Sequence, residues 1–377
     1  MTLALFNGQV MLPTGPCDTM CVVVEGDRIA AISAKVPADV QPVDLGGRTL
    51  LAGFIDTQVN GGGGVLFNDD PSVETIAAIG AAHRRYGTTG FLPTLISDDL
   101  DVVARAIAAV DAAIAAGVPG VLGIHIEGPF LSLARHGIHD PAKLRRIDAD
   151  AIQLLSSARY ARTLVTLAPE EVDPSAIQAL VAHGVIVAGG HTDADYETVR
   201  RAVDHGLSGF THIFNAMSPL MNRAPGAVGA ALDDDRTIAG IIVDGHHLHP
   251  AAVRIALRAK GPDRLMLVTD AMPSVGADKA DFILQGRHIH EEAGLLRDDQ
   301  GVLAGSSLNM ARAVRNLMAQ TGASLCSAAA MASAVPARFI GMAEETGTIA
   351  VGMRADLVLV DDELNVLRSW IGGQELS

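Results

Sequence analysis

The sequence predicts an α/β protein whose main domain is a (β/α)8 TIM barrel, joined to a small β-sandwich domain built from both chain termini. Between Leu51 and Pro273 one unit recurs: a short β-branched run, a polar or glycine-rich tip, then a helix-like segment. Apolar residues make up 49% of the chain and aromatic residues only 3%, so the core must consist mainly of aliphatic side chains. That composition is typical of parallel strands covered by helices.

Eight strand-like runs can be counted, and helical periodicity separates most of them. The runs begin at Leu51, Thr88, Val121, Thr163, Val185, Ser208, Ile238 and Leu265. Helices are predicted over Ser72–Tyr86, Leu100–Ala116, Ser175–His183, Ala194–His205 and Pro250–Lys260. Alternating strands and helices require a parallel sheet, and eight units of this length fit a closed barrel. A doubly wound open sheet is the alternative, but no GxGxxG segment follows an early strand to support it.

The two ends of the chain show a different pattern. Residues 1–50 and 347–377 contain short strands and turns, and each segment alone is too short to bury a core. We expect them to form one small β-sandwich domain, while residues 51–346 form the catalytic barrel domain. The stretch DFILQGRHIHEEAGLLRDDQGVLAG, which begins at Asp281, predicts an inserted hairpin after the eighth strand.

Charge and composition limit the partners. The formal net charge of −15 argues against nucleic acid or an anionic membrane as a partner, because either would need a basic face. An anionic substrate must then be captured by a few local cationic groups. Three cysteines and an N-terminus that lacks the features of a secretory signal predict a reducing, cytoplasmic location.

Metal-binding and acidic side chains stand where the predicted strands end. The carboxyl ends of barrel strands meet at one face, where the catalytic groups of such barrels lie. One carboxylate and two imidazoles on three strands are sufficient for a catalytic zinc, and an aspartate on another strand can act as its general base. A lone histidine at one of these positions would be better explained as a core residue, but the set as a whole would not. The residues at the strand ends are Gln58, Asn60, Glu127, His191, His212, His246, His247 and Asp270.

The order of the motifs resembles the amidohydrolase superfamily, and within it the family of N-acetylglucosamine-6-phosphate deacetylases. The motifs are GFIDTQVNG, GIHIEGPF, GGHTDA, FTHIFNAM, VDGHH, LVTDA and the tail GTIAVGMRADLVLVD. The most specific part is HIEGPF followed by GIHD, together with THIFNAM and a nearby arginine. The resemblance runs nearly from end to end of the chain.

This resemblance implies roles for individual residues. Glu127, His191 and His212 would be the metal ligands, Asp270 the catalytic aspartate, and His139 a catalytic histidine that polarises the substrate carbonyl. The implied substrate-binding residues are Ile138, His139, Asn215, Ala216, Arg223, His247, Leu303, Ala304 and Gly305.

The tip of the first strand departs from the pattern of the binuclear members of the superfamily. Those members place His-x-His there and a carbamylated lysine on the fourth strand, whereas this chain has Gln58 and Asn60. None of its four lysines is at a strand tip. Amide oxygens are weak ligands for zinc, so Gln58 and Asn60 would mark a vestigial second metal position. We therefore expect one divalent ion per chain, zinc in the first place, with Fe²⁺, Co²⁺ and Mn²⁺ as alternatives.

The implied activity is metal-dependent hydrolysis of N-acetyl-D-glucosamine 6-phosphate to D-glucosamine 6-phosphate and acetate, a reaction of amino-sugar catabolism and recycling. The resemblance also implies a homodimer in which Arg223 reaches the neighbouring active site. Three alternatives remain open: the galactosamine epimer as substrate, another N-acyl amide as substrate, and a non-catalytic scaffold of the same fold.

Overall fold

An eight-stranded parallel sheet forms the centre of the computed structural model, which describes residues 2–279 and 281–376. Each strand pairs with the next one in chain order. A parallel bridge between Val59 and Ala271 joins the first strand to the eighth and closes the sheet. The (β/α)8 barrel predicted from the sequence is therefore confirmed. The strands are Phe54–Val59, Thr88–Ile96, Gly123–Glu127, Arg162–Leu167, Ile186–Gly189, Gly209–Phe210, Ile238–Ile241 and Leu265–Leu267.

Helices follow the barrel strands and pack against their outer face. All five helices predicted from periodicity are present, within about two residues of the predicted bounds. Two helices between barrel strands, Ala149–Leu155 and Gly226–Asp233, were not predicted. No helix in the described residues is long and apolar enough to cross a membrane. The α-helices are Val73–Arg84, Leu100–Ala115, Ala149–Leu155, Pro174–Ala182, Tyr196–Asp204, Gly226–Asp233, Pro250–Lys260, Met310–Thr321, Leu325–Ala332 and Ala334–Phe339.

Strands from both ends of the chain form two further sheets around a core of their own. One sheet contains, in spatial order, Gln374–Leu376, Val366–Ile371, Leu357–Val360, Thr49–Ala52, Gln9–Leu12 and Gly15–Cys17. The other contains Arg28–Ser33, Cys21–Glu25, Thr2–Phe6 and Gln41–Asp44. Leu5, Leu50, Leu357 and Trp370 are among the buried side chains that these strands share. The small β-sandwich expected from the termini is thus present.

The bounds of the two domains remain a proposal. The strand Thr49–Ala52 crosses the predicted boundary after residue 50, because it belongs to the small domain while the first barrel strand starts at Phe54. We keep residues 1–50 with 347–377 as the small domain and residues 51–346 as the barrel domain.

The inserted segment after the eighth strand forms a four-stranded antiparallel sheet. Its strands are Phe282–Leu284, Arg287–Glu292, Leu295–Asp298 and Leu303–Ser306. Leu284, Ile289 and Leu296 pack with Ile96 and Met272 of the barrel in a separate apolar cluster. The last of these strands is thereby fixed beside the carboxyl ends of the barrel strands.

Candidate active site

The polar residues at the strand ends meet in one cavity of about 380 Å³. Glu127 ends the third strand, His191 and His212 follow the fifth and sixth, and Asp270 follows the eighth. All four side chains line the cavity. Its volume is within the range of roughly 300–1,000 Å³ that is usual for small-molecule sites.

Three side-chain atoms converge on one point at the base of the cavity. Nε2 of His212 lies 3.0 Å and Nε2 of His191 3.3 Å from Oε1 of Glu127, and the two Nε2 atoms are 3.1 Å apart. Nδ1 of His191 lies 2.9 Å from the carbonyl oxygen of Arg135. Since a carbonyl only accepts, Nδ1 carries the proton and the lone pair is on Nε2. Nδ1 of His212 is buried without a hydrogen-bond partner in the described residues. These three donor atoms fit a single metal ion of the zinc type.

The electrostatics of the cluster favour a positive charge at this point. Burial opposes ionisation of Glu127, but His191 and His212 outweigh it and hold the pKa of the carboxyl well below its usual value. Burial acts against the protonated form of His212, yet Glu127 outweighs that effect and raises the pKa of the imidazole. The carboxylate is therefore anionic and would stabilise a cation between itself and the two rings.

His139 is an alternative candidate for the third metal ligand. Glu127, His139 and His191 offer ligand atoms within 4.8 Å of one another. The backbone N–H of Ser97 donates to Nδ1 of His139 over 3.2 Å. Burial, followed by the charge of His191, lowers the pKa of His139 well below its usual value, so the ring is neutral. Its proton is then on Nε2, which makes His139 a hydrogen-bond donor. We therefore favour His212 over His139 as the third ligand.

Gln58 and Asn60 act as donors to the carboxylates of the site. Nε2 of Gln58 lies 3.2 and 3.1 Å from the two oxygens of Glu127 and 3.1 Å from Oδ1 of Asp270. Nδ2 of Asn60 donates to the same Oδ1 over 2.7 Å. Burial, with a smaller contribution from the charge of Glu127, raises the pKa of Asp270 to about 6. The side-chain amide nitrogens of Gln58 and Asn60 therefore face the carboxyl groups of Glu127 and Asp270.

The backbone is strained at several of these positions. His191, His212 and Asp270 have φ angles of 48°, 30° and 54°, and Ala216 has 49°. Non-glycine residues with such left-handed, positive φ angles cost of order 1–3 kcal/mol each, and they cluster at functional sites. His191, His212 and Asp270 follow the ends of the fifth, sixth and eighth strands, and their side chains line the cavity.

Most of the substrate-binding residues expected from the sequence line the cavity, and two do not. Ala304 is fully buried behind the wall. Arg223 lies on the exposed segment 220–223 and does not line the cavity. His246, the neighbour of His247, is exposed outside it as well. The expected residues that do line it are Ile138, His139, Asn215, Ala216, His247, Leu303 and Gly305.

The sequence did not point to several other residues of the wall. Ile96, Ala134, Arg135, Met272 and Val302 are examples. Arg135 is the first residue of RHGIHD, the segment that contains His139, and this was the only signal in the sequence that could have found it. His247 is oriented by Asp244, whose carboxylate lies 2.6 Å from its Nδ1.

A carboxylate and two imidazoles at the carboxyl face of a (β/α)8 barrel, with an aspartate beside them, define the class of barrel hydrolases that use a metal ion. Residues 49–376 match the amidohydrolase family. The chain belongs to that family.

Named relatives extend over the whole chain. An N-acetylgalactosamine-6-phosphate deacetylase of Shewanella sp. (strain ANA-3) is 45% identical and covers 99% of this chain and 96% of its own. An N-acetylglucosamine-6-phosphate deacetylase of Haemophilus influenzae is 34% identical, with 99% of each chain covered. The crystal structure of N-acetylglucosamine-6-phosphate deacetylase from Pasteurella multocida superposes with a TM-score of 0.97 at 35% identity, over 100% of both chains. The resemblance inferred from the motifs is confirmed.

Proposed function

We propose that this protein hydrolyses the acetamide of N-acetyl-D-glucosamine 6-phosphate, releasing acetate and D-glucosamine 6-phosphate. The observation that carries the proposal is the convergence of Glu127, His191 and His212 within 3.3 Å of one another, next to Asp270, in one cavity. The names of the relatives over the full length of the chain support the substrate class.

Glu127, His191 and His212 would hold one divalent ion, zinc in the first place. Such an ion lowers the pKa of a water molecule and polarises the oxygen of the scissile amide. The Glu127 carboxyl, whose pKa is held well below its usual value, is in the anionic state that metal binding requires.

Asp270 is the proposed general base and acid. Gln58 and Asn60 both donate to Oδ1 and leave Oδ2 without a protein partner in the described residues. Oδ2 can take the proton of the attacking water and return it to the departing amine nitrogen. A pKa of about 6 leaves the carboxylate ionised at neutral pH.

The remaining residues position the substrate. His139, a neutral donor, would stabilise the oxyanion that develops on the amide oxygen. His247 and the backbone N–H of Ala216 would contact the phosphate. We propose that Arg223, which is exposed in the chain, reaches the phosphate of a neighbouring subunit in a homodimer.

N-acetyl-D-galactosamine 6-phosphate is the second candidate substrate, because the relative that is 45% identical carries that name. The two sugars differ only in the orientation of one hydroxyl group, so the same catalytic residues would serve both.

Acetate release from metal-assayed protein tests these assignments. The panel contains both 6-phosphorylated N-acetylhexosamines, the same sugars without phosphate, and an N-acetyl amino acid. We expect the highest kcat/KM for N-acetyl-D-glucosamine 6-phosphate. Absence of acetate release from both phosphorylated sugars, at full metal loading, would refute the proposal and favour another amide or a scaffold role.

A further inference from the structure

Arg135 lies in a loop that wraps around His191. The backbone N–H of Ser132 donates to the carbonyl oxygen of His191 over 2.9 Å, and Nδ1–H of His191 donates to the carbonyl oxygen of Arg135 over 2.9 Å. The backbone of Arg135 is therefore one hydrogen bond and one imidazole ring away from the point where the metal would bind.

The guanidinium of Arg135 is held by one edge only. Its Nε donates to Oδ1 of Asp193 over 2.8 Å, and the backbone N–H of Asp193 is itself bound by Oε1 of Glu170 over 2.6 Å. Neither terminal nitrogen of Arg135 has a hydrogen-bond partner in residues 2–279 and 281–376. The side chain is 37% exposed, and the residue lines the cavity. Asp193 thus holds the guanidinium through Nε, and the two terminal nitrogens remain available to bind a ligand.

An open guanidinium at this position matters because the protein is strongly acidic. With a net charge of −15, binding of an anion depends on local cationic groups. Among the described residues, Arg135 is the only arginine or lysine that lines the cavity. A guanidinium fork matches the geometry of phosphate oxygens and binds them bidentately.

We propose that Arg135 binds the 6-phosphate of the substrate from within the same chain. This assignment rests on the proposed function. The competing explanation is structural: the ion pair with Asp193 would only anchor the loop that carries His139.

Two alanine variants separate the explanations, because Arg135→Ala and Asp193→Ala break the same ion pair but only the first removes the cation. We expect Arg135→Ala to raise KM for N-acetyl-D-glucosamine 6-phosphate by about ten-fold or more, with a much smaller change in kcat. Asp193→Ala should change that KM by less than about three-fold. The loss of kcat/KM in Arg135→Ala should be several times larger for the phosphorylated sugar than for N-acetyl-D-glucosamine.

Arg135→Lys is the conservative variant and keeps a cation for Asp193. Since lysine lacks the planar fork, we expect it to restore only part of the affinity, with KM about three- to ten-fold above wild type. Calorimetric binding of the product glucosamine 6-phosphate, compared with glucosamine, provides a readout that does not depend on turnover.

Equal effects of Arg135→Ala and Asp193→Ala would overturn the assignment, and so would equal losses on the phosphorylated and unphosphorylated sugars. Should Arg135→Ala fail to fold, a wild-type affinity of Arg135→Lys for glucosamine 6-phosphate would overturn it as well. Wild-type protein is the reference for the proposed function: if it releases no acetate from phosphorylated sugars, that function fails. If wild-type protein does release acetate from the phosphorylated sugars but Arg135→Ala and Asp193→Ala have equal effects, only the proposed role of Arg135 is refuted.

Discussion

Replacement of Asp270 by asparagine should abolish most turnover while preserving the shape of the site. Both donors to Asp270, Nε2 of Gln58 at 3.1 Å and Nδ2 of Asn60 at 2.7 Å, reach the same oxygen, Oδ1. The asparagine oxygen can accept both hydrogen bonds, so its amide nitrogen takes the position of Oδ2. The three proposed metal ligands are unchanged, and the variant should keep its metal. What it loses is the atom that accepts the proton.

The size of the loss follows from that single missing function. A positioned general acid or base contributes typically 10²–10⁴-fold, which is roughly 3–5 kcal/mol at 1.36 kcal/mol per tenfold. Asp270 is proposed to act twice, as base toward the water and as acid toward the amine, so we expect a loss in the upper part of this range. KM should change little, because the phosphate contacts remain.

The assay is acetate release by wild-type and Asp270→Asn protein at pH 7.5, with metal content measured on the same samples. Equal metal content and superimposable circular dichroism spectra are the controls for intact structure. A variant that retains its metal and more than about a tenth of wild-type kcat would show that another group is the base.

Three further predictions follow from the site and the fold. Elemental analysis should find about one tightly bound divalent ion per chain, because Gln58 and Asn60 present amides rather than imidazoles; two tightly bound ions, both needed for activity, would contradict this. Arg223→Ala should cost about 2–4 kcal/mol in kcat/KM for the phosphorylated sugar and much less for the unphosphorylated one; equal losses would make Arg223 structural. Burial raises the pKa of Asp56 to about 7, above its value of 3.8 in the unfolded chain. The stability that its neutral form contributes is complete below about pH 4 and is lost as the pH rises through 7, a change of about 4 kcal/mol over three pKa units. Denaturation of wild-type and Asp56→Asn protein between pH 4 and 8 should show a steeper fall in wild type, by about this amount, and parallel curves would refute it.

The barrel could be predicted because its strands appear in the sequence as β-branched runs and its amphipathic helices as segments of helical periodicity. The exceptions have local causes. The helix Gly226–Asp233 consists mainly of glycine and alanine, and seven of its eight residues are buried, so no polar face marks a helical period. The sixth strand, Gly209–Phe210, is only two residues long, although the predicted strand-like run SGFTHIFNAM extends to Met217. The positive φ of His212 ends the strand there, and backbone strain of this kind has no sequence pattern.

The site could be predicted to the extent that it lies at strand ends. Glu127, His191, His212 and Asp270 stand at fixed positions relative to their strands, and the barrel brings those positions together. Arg135 lies in a loop, and its position depends on contacts with His191, 56 residues away in the chain. No periodic pattern encodes such a contact, so only the structure could place it.

The two amides of the first strand are consistent with a site built around a single metal ion. Glu127 and Asp270 are neighbouring acids, and the charge of Glu127 contributes to the raised pKa of Asp270. A second cation between them would relieve that repulsion, and imidazoles at the first strand would hold it. Here the Nε2 hydrogens of Gln58 reach both carboxylates, while Asn60 adds a second donor to Asp270. We propose that the positive ends of these neutral amide dipoles take the place of a second cation and leave Asp270 basic enough to take a proton at neutral pH. Imidazoles at these positions would recruit a second ion, and a carboxylate that binds a cation loses basicity. The substitution of amides for histidines therefore supports the assignment of Asp270 as the base in a mononuclear site.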